Sequence, residues 1–308
     1  MTLKDKIGIV GFGLIGQRWA LAFAEAGLEV SCYDPNPAQW EQFTAVRPGL
    51  EADMRALRPD APAQGAITFS TDMAVALAGV TFVQENGPEK IELKQDLLAE
   101  IERHVGDEVI IASSSSALIV TEMQAKCRLP ARVILGHPFN PAHLMPLVEI
   151  VGGQATDPAA CESARALYDR IGKKPVVMNR EVTGHIALRL MGGMWREAIA
   201  MIREGVASAA DIDRAFIYGP GVKWTLQGSF ISNHLGADGI EEFLKKYGPT
   251  YQSIWDDLWT AEMDEATRKL VAASTLEAVA GRASDELRNE RDAGLVEMLR
   301  VVARHGAL

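Results

Sequence analysis

Lys6-Ile7-Gly8-Ile9-Val10-Gly11-Phe12-Gly13-Leu14-Ile15-Gly16 is the stretch from which the rest of the chain can be read. An apolar run that ends in G-x-G-x-x-G and passes into Gln17–Ala26 spells a strand, a glycine turn and a helix. Each glycine has its own task. Gly11 makes the tight turn, Gly13 lets a pyrophosphate approach the backbone, and Gly16 lets the helix pack close to the strand. Leu14 and Ile15 lead into the helix, whose N-terminus offers free N–H groups and a partial positive charge. A second apolar run, Leu28–Tyr33, ends on Asp34. A carboxylate at that point accepts hydrogen bonds from both ribose hydroxyls of a dinucleotide. The motif between two strands, with its acid, points to dinucleotide binding. A glycine turn in another kind of α/β protein is the alternative. Asp34 repels a 2′-phosphate, and Pro35-Asn36-Pro37 supplies no arginine to receive one, so the expected cofactor is NAD.

The composition sets the bounds. A chain of 308 residues has room for two domains of ordinary size. Its 48% hydrophobic and 23% charged content describe a soluble globular protein. Net charge is 31 − 41 = −10, and no basic stripe is visible, so nucleic acid is not an expected partner. Met1–Lys6 runs straight into a strand, which reads as no signal peptide, and no apolar run is long enough to span a membrane. Cys32, Cys127 and Cys161 are too few and too scattered for a disulfide framework or a zinc site, so no metal is expected. These features together suggest a reduced, cytoplasmic setting.

Farther along, strand patterns at Ala66–Phe69, Val80–Glu85, Glu108–Ala112, Arg132–His137, Leu147–Val151 and Lys174–Met178 alternate with helical ones, including Asp72–Ala78 and Glu89–His104. Alternation of this kind builds a mostly parallel, doubly wound sheet. From Thr183 the period changes to that of helices: Gly184–Arg203, Ser208–Tyr218, Ala237–Tyr247, Glu262–Ala280 and Ser284–His305. The expected fold class is α/β. A Rossmann-like, dinucleotide-binding domain over residues 1–181 precedes an all-α domain over 182–308.

Ligands of such sheets bind beyond the carboxyl ends of the strands. Ser113–Ser116 ends one strand there, and Gly136-His137-Pro138-Phe139-Asn140-Pro141 ends the next. Glu149 lies in the apolar frame Pro146–Val151, where a carboxylate needs a partner, and His137 is the natural one. Alcohol oxidation requires a base for the hydroxyl proton as hydride leaves carbon. On these residues alone, His137 fits a structural role about as readily as a catalytic one.

The chain resembles the 3-hydroxyacyl-CoA dehydrogenase family over nearly its whole length. The likeness rests on Gly11–Gly16, Phe82–Glu89 with Leu93-Lys94, the serine run, His137-Pro138-Phe139-Asn140-Pro141, Pro146–Glu149 and Trp195-Arg196-Glu197-Ala198. It implies that His137 is the acid/base, that Glu149 orients it and raises its basicity, and that Ser116 hydrogen-bonds the reacting oxygen. It also implies cofactor contacts from Glu89 and Lys94, a substrate contact near Asn140, and a homodimer formed through the C-terminal domain. Where the family has an asparagine, in the first helix of the second domain, this chain has Leu188. Members acting on CoA thioesters carry lysines after the second strand; here none occurs between Lys6 and Lys90, although Arg47, Arg55 and Arg58 could partly substitute. The chain is closer to the branch that oxidises small free 3-hydroxy carboxylates, carnitine and gulonate among them. Trp224, Phe230 and Trp255 are expected either to form an aromatic wall for a quaternary ammonium or to be core. A non-catalytic relative, kept as a binding or structural protein like a lens crystallin, is the reading from a different class.

Overall fold

Apolar β-branched runs bounded by turns give short strands, buried on both faces in the middle of a sheet and more open at its edges. In the computed structural model, which describes residues 5–306, these strands form one eight-stranded sheet among the described residues. They are β1 (Lys6–Val10), β2 (Glu29–Tyr33), β3 (Ile67–Ser70), β4 (Phe82–Glu85), β5 (Ile110–Ser113), β6 (Val133–Pro138), β7 (Leu147–Gly152) and β8 (Lys174–Val177). The order is β3-β2-β1-β4-β5-β6-β7-β8. Neighbours run parallel from β3 to β6; β7 is antiparallel to β6, and β8 is parallel to β7. Because the chain leaves β1 first toward β2 and later returns on its other side through β4, the strand order reverses at β1. That reversal opens a crevice at the carboxyl ends of β1 and β4.

The helices α1 (Leu14–Glu25), α2 (Ala38–Leu57), α3 (Met73–Ala76), α4 (Ile91–Glu102), α5 (Val120–Met123) and α6 (Pro158–Arg170) connect the strands. On one face Trp19, Phe23 and Tyr168 pack ring on ring, and the buried Tyr168 hydroxyl donates to Gln84 Oε1 at 2.5 Å. Val10, Val83, Leu98, Ile101, Ile111 and Leu135 fill another cluster. One boundary differs from expectation in a way that bears on function. Helix α4 starts at Ile91 rather than Glu89, so Glu89 stays outside it and its carboxylate is free to bond elsewhere. The reading of Met1–Lys4 lies outside the described residues.

The chain divides into two compact units, up to Arg189 and from Leu190 onward. The division falls in the first turns of α7 (Ala187–Arg203). The second unit continues with α8 (Ala209–Phe216), α9 (Val222–His234), α10 (Ile240–Asp257), α11 (Glu265–Val279) and α12 (Ser284–His305). Helix α9, which carries Trp224 and Phe230, is absent from the sequence reading. Gly228 interrupts it with φ +69°, so the apolar period does not run through. Few side chains of this unit are buried: Ala198, Ile199, Ala200, Phe243, Thr267 and Val296. No described helix is long and apolar enough to cross a membrane.

Candidate functional site

The glycine turn behaves as its chemistry demands. Gly11 has φ +83°, and a Cβ on it would lie 2.8 Å from the Asn86 backbone. A Cβ on Gly16 would stand 2.0 Å from the Gly11 carbonyl oxygen, so α1 packs against the turn at a distance only glycine allows. Around Gly13, by contrast, a Cβ would meet nothing within 4 Å. That open space at the first turn of α1, which has no side-chain cap and no acidic residue, is where a pyrophosphate fits. Leu14 is exposed, and Ile15 is half-buried. Asp34 ends β2 and faces the turn. Its Oδ2 accepts from Phe12 N at 2.8 Å and its Oδ1 from Asn36 N at 2.9 Å. Each oxygen keeps a lone pair for a ribose hydroxyl.

A buried polar network lies at the end of β4. Glu85 accepts from Ser113 Oγ at 2.6 Å, from Gly87 N, and from Lys94 Nζ at 2.8 and 2.9 Å. Lys94 Nζ also donates to Gly87 O at 3.0 Å. All the donor capacity of Lys94 is thus met by the protein. The structure places this residue behind the 85–87 turn, which it braces, rather than at an open surface.

Glu89 organises the serine run. Its Oε1 accepts from Ser115 Oγ at 2.6 Å, Ser116 N at 2.9 Å and Ala117 N at 3.0 Å. Burial raises the proton affinity of this carboxyl. The hydrogen bonds from Ser115, Ala117 and Ser116 and the charge of Lys94 outweigh it and hold the group below the usual carboxylate range. Ser116 is left exposed at the tip of the loop.

His137 and Glu149 face each other directly across the antiparallel β6–β7 pair. His137 Nδ1 lies 2.9 Å from Glu149 Oε2, and the two residues are 5% and 1% exposed. Glu149 Oε1 accepts from Ile186 N at 2.8 Å and Ala187 N at 2.9 Å. Burial again raises the carboxyl, but the His137 bond and the Ala187 and Ile186 N–H groups prevail, so Glu149 is held below its ordinary range. An ionised carboxylate only accepts, which assigns the proton to Nδ1 and leaves the Nε2 lone pair as a base.

Asn140 is exposed in the connection that follows β6. The buried Lys173 amino group tethers that connection by donating to the Ala142 and Met145 carbonyls, and it lies 5.3 Å from the Trp19 ring centre. Leu188 is half-buried in the first turn of α7. Trp224 and Phe230, in the second unit, are 41% and 82% exposed; in the chain taken by itself they are not core. One residue escaped the sequence reading: His185, whose ring centre lies 5.2 Å from that of His137. Its signal was a titratable ring at the second position of the expected Gly184–Arg203 helix.

Residues 6–182 match the model described as 3-hydroxyacyl-CoA dehydrogenase, NAD binding domain, and residues 184–283 match 3-hydroxyacyl-CoA dehydrogenase, C-terminal domain. The chain belongs to the 3-hydroxyacyl-CoA dehydrogenase family. This dehydrogenase is an NAD-dependent oxidoreductase acting on a CH–OH group. It is 39% identical over 307 residues to an L-carnitine dehydrogenase of Streptomyces coelicolor, covering 98% of this chain and 96% of that one. Among solved structures, 5-formyl-3-hydroxy-2-methylpyridine 4-carboxylic acid 5-dehydrogenase, described as an NAD+ dependent dismutase, superposes with a TM-score of 0.88 at 28% identity. That match covers 98% of this chain and 99% of the other. (S)-3-hydroxybutyryl-CoA dehydrogenase from Ralstonia eutropha, at 29% identity and a TM-score of 0.63, covers 71% of this chain and 78% of its own.

The carboxylate at Asp34 should make the dehydrogenase discriminate between nicotinamide cofactors. Asp34→Ala is expected to raise the Kd for NAD about 10–100-fold, as for loss of charge-assisted hydrogen bonds, and to narrow the preference over NADP. Titration of both cofactors by fluorescence quenching checks this; equal use of NADP by the wild type would refute the reading.

Proposed function

We propose that this dehydrogenase oxidises the 3-hydroxyl of a small, free 3-hydroxy carboxylate, with L-carnitine as the first choice. Likeness over nearly the full chain to enzymes named L-carnitine dehydrogenase carries this reading. The lysine-free stretch Ile7–Glu89 supports it, since that stretch offers little grip on the phosphates of a CoA ester.

Gly11, Gly13, Gly16, the first turn of α1 and Asp34 hold the cofactor. NAD, when bound, supplies the hydride acceptor. His137 Nε2 takes the hydroxyl proton. Glu149 keeps Nδ1–H aimed and steadies the imidazolium that forms. Ser116, held out by Glu89, donates its hydroxyl to the reacting oxygen. Leu188 makes the neighbouring surface more apolar than the family's asparagine would. Trp224 and Phe230 are exposed on the second unit, so both rings are open to a trimethylammonium group; such a contact is worth about 0.5–2 kcal/mol.

The test is kcat/KM for L-carnitine, L-gulonate, 3-hydroxybutyrate and 3-hydroxybutyryl-CoA under one set of conditions. Carnitine is expected to lead. A gulonate win would keep the acid–base roles and remove the aromatic contact. A win for the CoA ester would overturn the substrate class, and no NADH from any of the four would favour a non-catalytic relative.

The same reading includes a homodimer built through the second unit. Its apolar side chains outnumber those it buries, with Trp195 58% and Trp255 61% exposed, and exposed apolar surface of this extent marks an interface. Light scattering at micromolar concentration should give twice the chain mass; a monomer mass refutes it. A cytoplasmic, soluble enzyme is the setting proposed with it.

A further inference from the structure

We infer that His185 is a positioning residue that ties the Ser116 loop to the Glu149–His137 pair. The inference rests on the proposed roles of His137 and Ser116.

Gly184 and His185 have φ +77° and +52°, two successive left-handed residues. A glycine adopts that conformation freely, whereas a ring-bearing residue there is uncommon. The turn they make brings the Ile186 and Ala187 N–H groups together on Glu149 Oε1. From the same residue the imidazole is directed to the serine run. It is 1% exposed, and its Nε2 lies 3.2 Å from the Ser115 carbonyl oxygen, one peptide before Ser116. The backbone of His185 therefore shapes the clamp on the carboxylate, and its ring fixes the loop that presents the hydroxyl.

The ring's chemistry accounts for a histidine here. A carbonyl only accepts, so the proton sits on Nε2 and Nδ1 is a bare acceptor. Nδ1 is buried and has no hydrogen-bond partner, an unfavourable state that an apolar ring would avoid. The benefit lies in the Nε2–H bond. The titratable groups around the ring are His137, Glu149 and Glu89. Burial first, then His137, lower the proton affinity of His185, against the Ser115 carbonyl, Glu149 and Glu89, which raise it; the balance lies below the ordinary histidine value. His185 is thus less ready than an ordinary histidine to take a second proton beside His137, whose ring centre lies 5.2 Å away.

His185→Ala removes the ring and disfavours the left-handed turn that brings two N–H donors to Glu149. His185→Phe keeps an aromatic ring without a donor. Both variants should bind NAD as wild type and lose about 10–100-fold in kcat, the scale of a misplaced reacting group, with KM changed less. A Glu149 carboxylate relieved of two N–H donors holds the His137 proton more firmly. The acid limb of the pH–kcat/KM profile should therefore move to higher pH. NMR titration of the His137 Cε1–H in wild type and His185→Ala reads the same shift without substrate. Should His185→Phe fail to fold, His185→Ala decides. An active wild type with an unmoved titration and unchanged kcat would overturn this inference alone. An inactive wild type with a shifted titration would overturn the substrate reading alone. Loss of NAD affinity and melting temperature in parallel with kcat would reduce His185 to a packing residue.

Discussion

His137→Ala is expected to lower kcat by about 10²–10⁴-fold, the usual contribution of a positioned base, while the Kd for NAD stays within about twofold of wild type. The separation follows from geometry. The proposed cofactor site comprises Gly11–Gly16 and Asp34 at the ends of β1 and β2, whereas His137 lies on β6, two strands beyond β4 in the sheet. Removing the ring leaves the glycine turn and the ribose carboxylate intact. It also leaves Glu149 buried with one oxygen still held by Ile186 N and Ala187 N, so the carboxylate is not stranded and the fold should survive. Single-turnover NADH formation and NAD titration on one preparation measure both quantities. Near-normal turnover would place the base on another residue.

Glu149→Gln is expected to be nearly as damaging, by about 10²–10³-fold, and this departs from what the sequence suggests. If Glu149 only raised the basicity of His137, as the resemblance implies, an amide in its place would merely weaken the base. In the structure one oxygen, Oε1, is already committed to two N–H donors. The amide oxygen of a glutamine must take that position, because an NH2 group facing two N–H donors is repelled. The NH2 then meets His137 Nδ1, which must accept. The ring proton is driven to Nε2, the nitrogen that should take the substrate proton. The imidazole survives in the wrong tautomer, an effect worth up to about 10⁴ in the comparable triad of serine proteases. Glu149→Asp, too short to keep both bonds, should fall between wild type and Gln. A Glu149→Gln enzyme with a wild-type pH–rate profile and rate would dissolve the pair.

The parts of the fold set by local chemistry could be read in advance. The glycine turn announces itself because only glycine fits where a Cβ would stand 2.0 Å from a carbonyl oxygen. The contact between His137 and Glu149 was legible because a carboxylate in an apolar strand requires a partner. The reversal of β7 was not read, although its signal was present: the connection 139–146 is too short for the crossover a parallel strand needs. Lys94 could be placed near the cofactor turn, but not its donors, since Glu85 and Gly87 meet them only through the fold. Glu89 looked like the start of a helix because acidic residues favour first turns; its bonds to Ser115, Ser116 and Ala117 depend on a loop far along the chain. His185 was hidden for the same reason, its partner Ser115 lying 70 positions away.

The register of β6 against β7 bears on how such an enzyme can change over evolutionary time. Successive side chains of a strand point to opposite faces, so a slip of one residue carries the whole set across the sheet. Shifted by one, β7 would set Val148 or Ile150 opposite His137 in place of Glu149. No half-supported arrangement lies between. Insertions and deletions in 139–146 are therefore either absorbed in the loop, with the pair intact, or lethal to the chemistry. Asn140, carried on that loop, lies outside the paired register. Change can accumulate in the loop by small steps, while His137 and Glu149 are inherited together as one unit.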